Sequence, residues 1–353
     1  VGCGALGTVV ANMLARAGVG HLIVVDRDLI ELTNLQRQVL FDEADVADAT
    51  PKAIAVKNKI AKINSQVTVT AVVEDVNYTN MEKLALGEYG QGVYAGKKVD
   101  VIVDGLDNFE TRYLVNDCAV KHGIAYVYGG AVGTVGASYA VLPHTEKGDA
   151  VWETLKGGSL ATPCLQCIFE KAPPPGLNPT CDTVGVLGPV VAMVSNYQVA
   201  ETLKMLTGHW DRVSPTMLNL DLWANTFRPF KVARAYDVGD CRCCKHRAFG
   251  YLNGSLGSSA TTLCGRNAVQ LSPALEDHGA KNATGRGKLD FAGIAKRLEA
   301  HGPVKVNAFM LQACVVDGGE SYELTLFTDG RAIVKGTPDV KVAKGVYAKY
   351  VGM

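Results

Sequence analysis

Charge of either sign in excess is missing from this sequence: 35 Lys and Arg stand against 35 Asp and Glu in 353 residues. A chain that coats nucleic acid draws its affinity from a basic surplus, so nucleic acid is not an expected partner. Long apolar runs are missing too. None reaches the ~18 residues of a membrane span, and the longest, near 184–194, stops at Ser195 and Asn196. No membrane partner is expected, and the protein reads as soluble. Cysteine is sparse for a chain this long: ten residues cannot make a disulfide scaffold. Four of them fall in two C-x-x-C pairs, which suggests metal in a reducing cytoplasm. No initiating Met is present, and only Val1 precedes a glycine motif that several apolar strand residues should precede. The sequence therefore reads as a fragment with a truncated N-terminus, long enough for one large core and a small appended domain.

The chain is organised around that motif, Gly2-Cys3-Gly4-Ala5-Leu6-Gly7, a G-x-G-x-x-G loop. Its glycines allow a tight turn and a close approach to a phosphate. The apolar run 8–17 predicts a helix whose N-terminal N–H groups face an anion. His21 to Val25 reads as a buried strand ending in Asp26, nineteen residues after Gly7, where a ribose hydroxyl is held in nucleotide-binding βαβ units. A tight turn in an ordinary α/β domain is the simpler alternative. Next comes Asn34-Leu35-Gln36-Arg37-Gln38, more polar and basic than a connector needs. Thr50-Pro51 reads as the N-cap and first position of a helix through Ile63. Lys52 then stands in the first turn, where a cation costs about 0.3–1 kcal/mol unless a phosphate lies nearby.

Residues 67–73 and 99–103 read as further strands. The second ends in Asp104-Gly105-Leu106-Asp107-Asn108 and leads into a helix that stops at Gly123. Ligands bind beyond the carboxyl ends of parallel strands, so Asp26 and Asp107 can share one pocket. A helix N-cap is the alternative for Asp107. Glycine-broken strands over 125–142 predict an antiparallel continuation. The long segment 143–180 carries Cys164-Leu165-Gln166-Cys167 and a Pro-rich stretch, and reads as functional. Cys181-Asp182-Thr183 follows, then a helical run from about Val184 to Leu206 that Pro189 should distort, then strands at 216–220 and 226–232 and the run Cys241-Arg242-Cys243-Cys244. Two C-x-x-C knuckles supply the four thiolates of a tetrahedral zinc site. We assign Cys164, Cys167, Cys241 and Cys244, since Cys243 would shorten one spacing. Redox-active or merely buried pairs are the alternative.

Taken in order, these motifs with T-P-K and P-T-C-D-T resemble the ThiF and MoeB adenylyltransferases, bacterial relatives of the ubiquitin-activating enzymes. The resemblance covers residues 1 to about 250. It implies an α/β fold, a doubly wound Rossmann-like nucleotide-binding domain with a mixed-sheet extension. It also implies a cytoplasmic homodimer that uses ATP and magnesium to adenylate the C-terminal glycine of a ubiquitin-like sulfur-carrier protein ending in Gly-Gly, on a thiamine or molybdopterin pathway. By matching motif, Gly2, Gly4 and Gly7 form the nucleotide loop, Asp26 holds ribose, Asn34, Arg37 and Lys52 meet the phosphates, and Asp107 handles magnesium. The family's N-terminal helix, with an arginine that reaches the neighbouring subunit's ATP, has no counterpart in the sequence as given.

The implied chemistry needs no histidine. A peptide α-carboxylate has a pKa of about 3.5 and is a nucleophile at neutral pH without a base; the barrier is electrostatic, and fixed cations lower it. Cys181 is the candidate covalent thiol. A helix N-terminus favours its thiolate, while Asp182 opposes it and a buried thiol is the alternative. In the family the matching cysteine attacks the acyl-adenylate or takes part in sulfur handover, which implies a sulfur donor protein as a further partner. An NAD-dependent oxidoreductase and a non-catalytic partner subunit of a ubiquitin-like activating enzyme are the other readings. The first leaves Arg37, Lys52 and the four paired cysteines unexplained together, and the second would lose the phosphate cations, whereas Arg37, Lys52 and Asp107 are all present. Residues 251–265 read as a linker, and 266–353 as a small C-terminal α+β domain. There Cys264 and Cys314 are expected to be buried, Asp290 to help start a helix, 304–316 to form a strand, and Asp329-Gly330 to fold a hairpin.

Overall fold

The computed structural model describes residues 1–145, 153–170, 184–256, 260–263, 267–271, 291–307, 309–327 and 331–351. They divide into two compact units, one ending at 256 and one starting at 260. In the first unit helix α1 (Ala5–Arg16) leads to strand β1 (His21–Val25), which runs parallel to β2 (Thr68–Val72). The short helix α2 (Glu43–Ala47) and the longer α3 (Lys52–Ile63) lie between them in sequence. Ala53, Ala55, Val56 and Ile60 line one face of α3 and are fully buried, which fixes that helix against the β1 side of the core. Pro51 is the N-cap of α3, bridged to Leu29, and not its first helical residue, so Lys52 opens the helix.

After α4 (Met81–Ala85), β3 (Val101–Val103) runs parallel to β4 (Ala125–Val132), with α5 (Phe109–His122) crossing between them and ending at Gly123, φ 61°. From there the sheet turns antiparallel through β5 (Val135–Val141), β6 (Thr216–Asp221) and β7 (Thr226–Lys231), in the order β3-β4-β5-β6-β7. The sequence between β5 and β6 holds α6 (Leu165–Ile168) and α7 (Gly188–Leu206); α8 (Arg234–Val238) follows β7. Pro189 does not distort α7. It occupies the first turn, where its missing N–H costs nothing, and the helix starts at Gly188 instead of near Val184. No helix among the described residues is long and apolar enough to cross a membrane.

Val1 and Gly2 join the two strand groups. The Val1 nitrogen donates to the Val103 carbonyl at 2.9 Å, Gly105 N donates to Val1 O at 2.7 Å, and Gly2 N donates to Val25 O at 2.8 Å. The carboxyl ends of β1 and β3 therefore lie side by side, and the loops after them open at one place. A buried ion pair holds the second loop. Arg112 of α5 donates from Nε to Asp104 Oδ2 at 3.0 Å and from Nη2 to the carbonyls of Leu106 and Gly129. Tyr126 OH also donates to Asp104, and Gln198 of α7 donates to the Asp104 carbonyl.

In the second unit six antiparallel strands pair in the order β10-β11-β12-β13-β9-β8. They are β8 (Ala260–Leu263), β9 (Ala268–Leu271), β10 (Val304–Val306), β11 (Met310–Asp317), β12 (Glu320–Phe327) and β13 (Ala332–Lys335). Helices α9 (Phe291–Leu298) and α10 (Val340–Tyr350) pack on one face, and the Asp339 carboxylate caps α10. The strand expected over 304–316 is two strands, because Asn307 accepts from the N–H groups of Phe309 and Met310 and turns the chain. Cys314 is exposed, not buried: β11 sends Leu311, Ala313 and Val315 to the helix-covered face and Cys314 to the other. Cys264, Asp290 and Asp329-Gly330 lie outside the described residues.

Replacing Asp104 with Ala leaves the buried Arg112 charge unpaired, which costs about 3–5 kcal/mol. Denaturant unfolding of the Asp104→Ala protein should show that loss, and the Asp104→Ala, Arg112→Met double variant should recover part of it. Unchanged unfolding of the single variant would show that the loop is held by other means.

Candidate active site and metal centre

The glycine loop is built by contact of backbone on backbone. A Cβ on Gly7 would stand 1.9 Å from Gly2 O, and one on Gly2, at φ +87°, would stand 2.5 Å from Gly105 O. Gly4 is different, with its nearest neighbours, Gln38 Nε2 and Gly105 O, 3.9 Å away. It is the open position of the loop and the N-cap of α1, with no side-chain cap and no acid in the first turn. The α1 amides therefore meet an approaching anion uncontested.

Asp26 stands at the end of β1, beside this loop. Its Oδ2 accepts from Cys3 N and its Oδ1 from Asp28 N, both at 2.7 Å, so the carboxylate pins the loop and keeps lone pairs for another donor. Burial pushes the Asp26 pKa up, against the pull of Lys52 and the two backbone donors. Burial and the nearby Asp26 push the Cys3 thiol up as well, which makes Cys3 an inert loop residue. Lys52 is 3 % exposed; Nζ donates to Asp28 Oδ2 at 3.0 Å and its backbone N to Asp28 O at 2.9 Å. It is a buried charge at the start of α3, not a surface lysine.

Arg37 is half-buried, donates from Nη1 to Thr33 O at 2.9 Å and is paired with no carboxylate among the described residues. Asn34 is buried and its side chain accepts from Glu31 N, so in this state it shapes the turn that presents Arg37 and Gln38. Asp107 is exposed, and it does not cap α5: Asn108 does, its Oδ1 accepting from Thr111 N at 2.9 Å.

Residues that sequence reasoning passed over complete the site. Arg27 donates to Asp75 Oδ1 at 2.6 Å and lies 3.6 Å from Asp28. Burial alone would lower its pKa, but Asp75, Asp28, Asp107 and Asp26 outweigh this and raise it. Gln38 is 4 % exposed and faces Gly4, with no partner for Oε1 among the described residues. Only its place in the N-L-Q-R-Q run marked it.

The two cysteine pairs, far apart in sequence, meet. The Sγ atoms of Cys164, Cys167, Cys241 and Cys244 all lie within 4.8 Å of one another, with separations of 3.8 Å (164 to 167), 3.6 Å (164 to 241) and 3.3 Å (167 to 244). Zinc–sulfur bonds of about 2.3 Å in a tetrahedron put the sulfurs about 3.8 Å apart, so the donor set fits that ion. Cys243 is fully buried outside the set. Cys181 lies outside the described residues.

With this geometry, similarity to known proteins is informative. The ThiF family model matches residues 1–243. The chain is 37% identical, over its whole length and 91% of the relative's, to the sulfur carrier protein ThiS adenylyltransferase of Bacillus subtilis. It is 37% identical to the sulfur carrier protein adenylyltransferase of Thermus thermophilus, over 66% of this chain and 78% of that one. Among solved structures, E. coli MccB in complex with MccA-N7isoASN superposes with a TM-score of 0.54 at 22% identity, covering 69% of this chain and 66% of that one, a likeness of fold. The glycine loop, the acid after β1, the D-G-L-D-N turn and the mixed sheet are thus the parts of a recognised whole: the chain belongs to the ThiF family.

Proposed function

We propose that the protein adenylates the C-terminal glycine carboxylate of a ubiquitin-like sulfur-carrier protein, with a ThiS-type carrier as its substrate. The observation that carries this reading is the match to the Bacillus subtilis ThiS adenylyltransferase over the full chain, second unit included. The site supports it. Phosphates of ATP have an open approach to Gly4 and the α1 amides, and Asp26 keeps acceptor capacity for ribose. Lys52 and Arg37 supply fixed positive charge, and Asn34 sets the turn that carries Arg37. Asp107, exposed in the loop after β3, is the residue we assign to magnesium, which when bound neutralises phosphate charge. The carrier's carboxylate attacks the α-phosphate and pyrophosphate leaves, with no proton to remove. A nicotinamide or non-catalytic reading has no use for this set of charges.

We assign zinc to Cys164, Cys167, Cys241 and Cys244 as a structural ion, since four thiolates leave no open position for chemistry. Cys181 is proposed as the thiol that, after adenylation, either attacks the carrier's acyl-adenylate to form a thioester with release of AMP, or takes the outer sulfur of a donor protein's persulfide and leaves the donor's thiol. The working assembly is proposed to be a homodimer.

The test is ATP–pyrophosphate exchange with a carrier ending in Gly-Gly. Exchange should depend on carrier and magnesium and fall about a hundredfold or more in Asp107→Ala and Lys52→Ala proteins that remain folded. Exchange that proceeds without carrier, or at the wild-type rate in both variants, overturns the reading. Cys181→Ser should retain exchange and lose any covalent carrier or persulfide adduct seen by mass spectrometry. An adduct that persists in Cys181→Ser removes that residue from the mechanism. Elemental analysis should find one zinc per chain, and purified active protein without zinc would exclude the metal centre.

A further inference from the structure

The run Cys241-Arg242-Cys243-Cys244 contains one thiol more than the metal centre uses, and that thiol lies between Cys164 of the metal set and the α5 residues Asn116 and Asp117. Asn116 of α5, fully buried, donates from Nδ2 to Cys243 Sγ at 3.3 Å. Its Oδ1 accepts from Leu165 N at 2.7 Å, the amide directly after Cys164. One carboxamide therefore holds both knuckles. Asp117, the next residue and also fully buried, repeats the arrangement. Its Oδ1 accepts from Gln166 Nε2 at 2.6 Å inside the first knuckle, and its Oδ2 accepts from Tyr251 N at 3.0 Å and Leu252 N at 3.3 Å after the second. One turn earlier, Tyr113 OH donates to Phe169 O at 2.7 Å, just past α6, and the Tyr113 ring stacks on Tyr251 at 5.1 Å between centroids.

Buried side-chain amides and carboxylates in a helix carry a desolvation cost that only complete pairing offsets. Here the pairing goes almost wholly to the two knuckles, not to the sheet. We propose that Asn116 and Asp117 form a clamp that presets the four sulfurs for metal, and that Cys243 is the key that registers the second knuckle on α5 and not a ligand. The proposal rests on the zinc assignment above and adds to it the residues that position the ligands. The physical precedent is general: partners one bond removed from a metal's ligands set its affinity by about 10–100-fold.

The experiment loads the full chain with cobalt(II), whose absorption reports the number of thiolate ligands, and measures zinc affinity by competition with a chromophoric chelator. Asn116→Ala and Cys243→Ala should each bind about 10–100-fold more weakly, while the cobalt spectrum keeps its four-thiolate form. Cys243→Ser, which can still accept from Asn116, should bind close to wild type; this rescue separates positioning from general loss of packing. Should Asn116→Ala fail to fold, the two Cys243 variants decide alone. Unchanged affinity in the alanine variants, with metal bound by wild type, overturns the clamp and leaves the zinc assignment standing. A spectrum that loses a thiolate in Cys243→Ala makes Cys243 a ligand and also overturns it. Wild-type protein that takes up neither cobalt nor zinc overturns both.

Discussion

Close contact among three glycines is the constraint on which the first unit depends. Gly2 must touch both Gly7 and Gly105, and neither contact leaves room for a methyl group. The first contact folds the nucleotide loop into α1; the second brings the end of β3 against it. Without the second, the carboxyl ends of β1 and β3, and with them the loops carrying Asp26 and Asp107, would not be held side by side. The Asp104–Arg112 pair serves the same end from beneath, since Arg112 also accepts the load of holding the Leu106 and Gly129 carbonyls in place. A buried ion pair adds little net stability against an apolar replacement. Its value here lies in fixing one loop conformation with hydrogen bonds that an apolar side chain could not make.

Much of this was legible in the sequence because the signals were local. The glycine spacing, the acid ending the next apolar run and the strand-helix alternation each lie within a window of a few tens of residues, and they placed α1, β1, α3, β3 and α5 nearly as found. What failed was also local in cause. Pro51 caps α3 where a first helical position is expected, and Pro189 stands in the first turn of α7 where the interior is expected, because a proline near a helix start can sit at the cap, in the first turn or inside, and φ alone does not distinguish these. Cys314 is exposed where a buried thiol is expected, because a strand with helices on one face sends alternate residues to opposite sides, and the sequence does not say which set faces the helices.

The partners of Asp104 and Asn116 were not legible at all, for a reason specific to α5. Its buried residues include Arg112, Asn116 and Asp117 beside Tyr113, Leu114 and Val115, so polar and apolar side chains alternate without a clear stripe. A helix read by periodicity alone gives no face to such a segment. The polar residues are inside because each meets a specific group far along the chain: Asn116 meets residues 165 and 243, and Asp117 meets residues 166, 251 and 252. In consequence one helix serves two sites. Its first turns hold the loop that presents Asp107, and its later turns hold the cysteine knuckles.

The position of Lys52 hints at a phosphate in the sequence, beside the glycine loop, and the structure refines that argument. A cation opening a helix is opposed by the dipole, yet Lys52 is buried there because Asp28 offers both a carboxylate and a backbone carbonyl to it. Asp28 in turn lies 3.6 Å from Arg27, which also reaches Asp75. Before any nucleotide arrives, the site is a lattice of alternating charges held by the protein itself. On the proposed reading a phosphate meets a Lys52 already paired with Asp28, so binding there trades a carboxylate–ammonium contact for a phosphate–ammonium contact, whereas Arg37 is paired with no carboxylate among the described residues. On that reading ground-state affinity is moderated at Lys52, while the proposed cations stand where charge develops as pyrophosphate leaves. Preorganised charge of that kind lowers a barrier more than it tightens substrate binding, which is what a reaction between two anions requires.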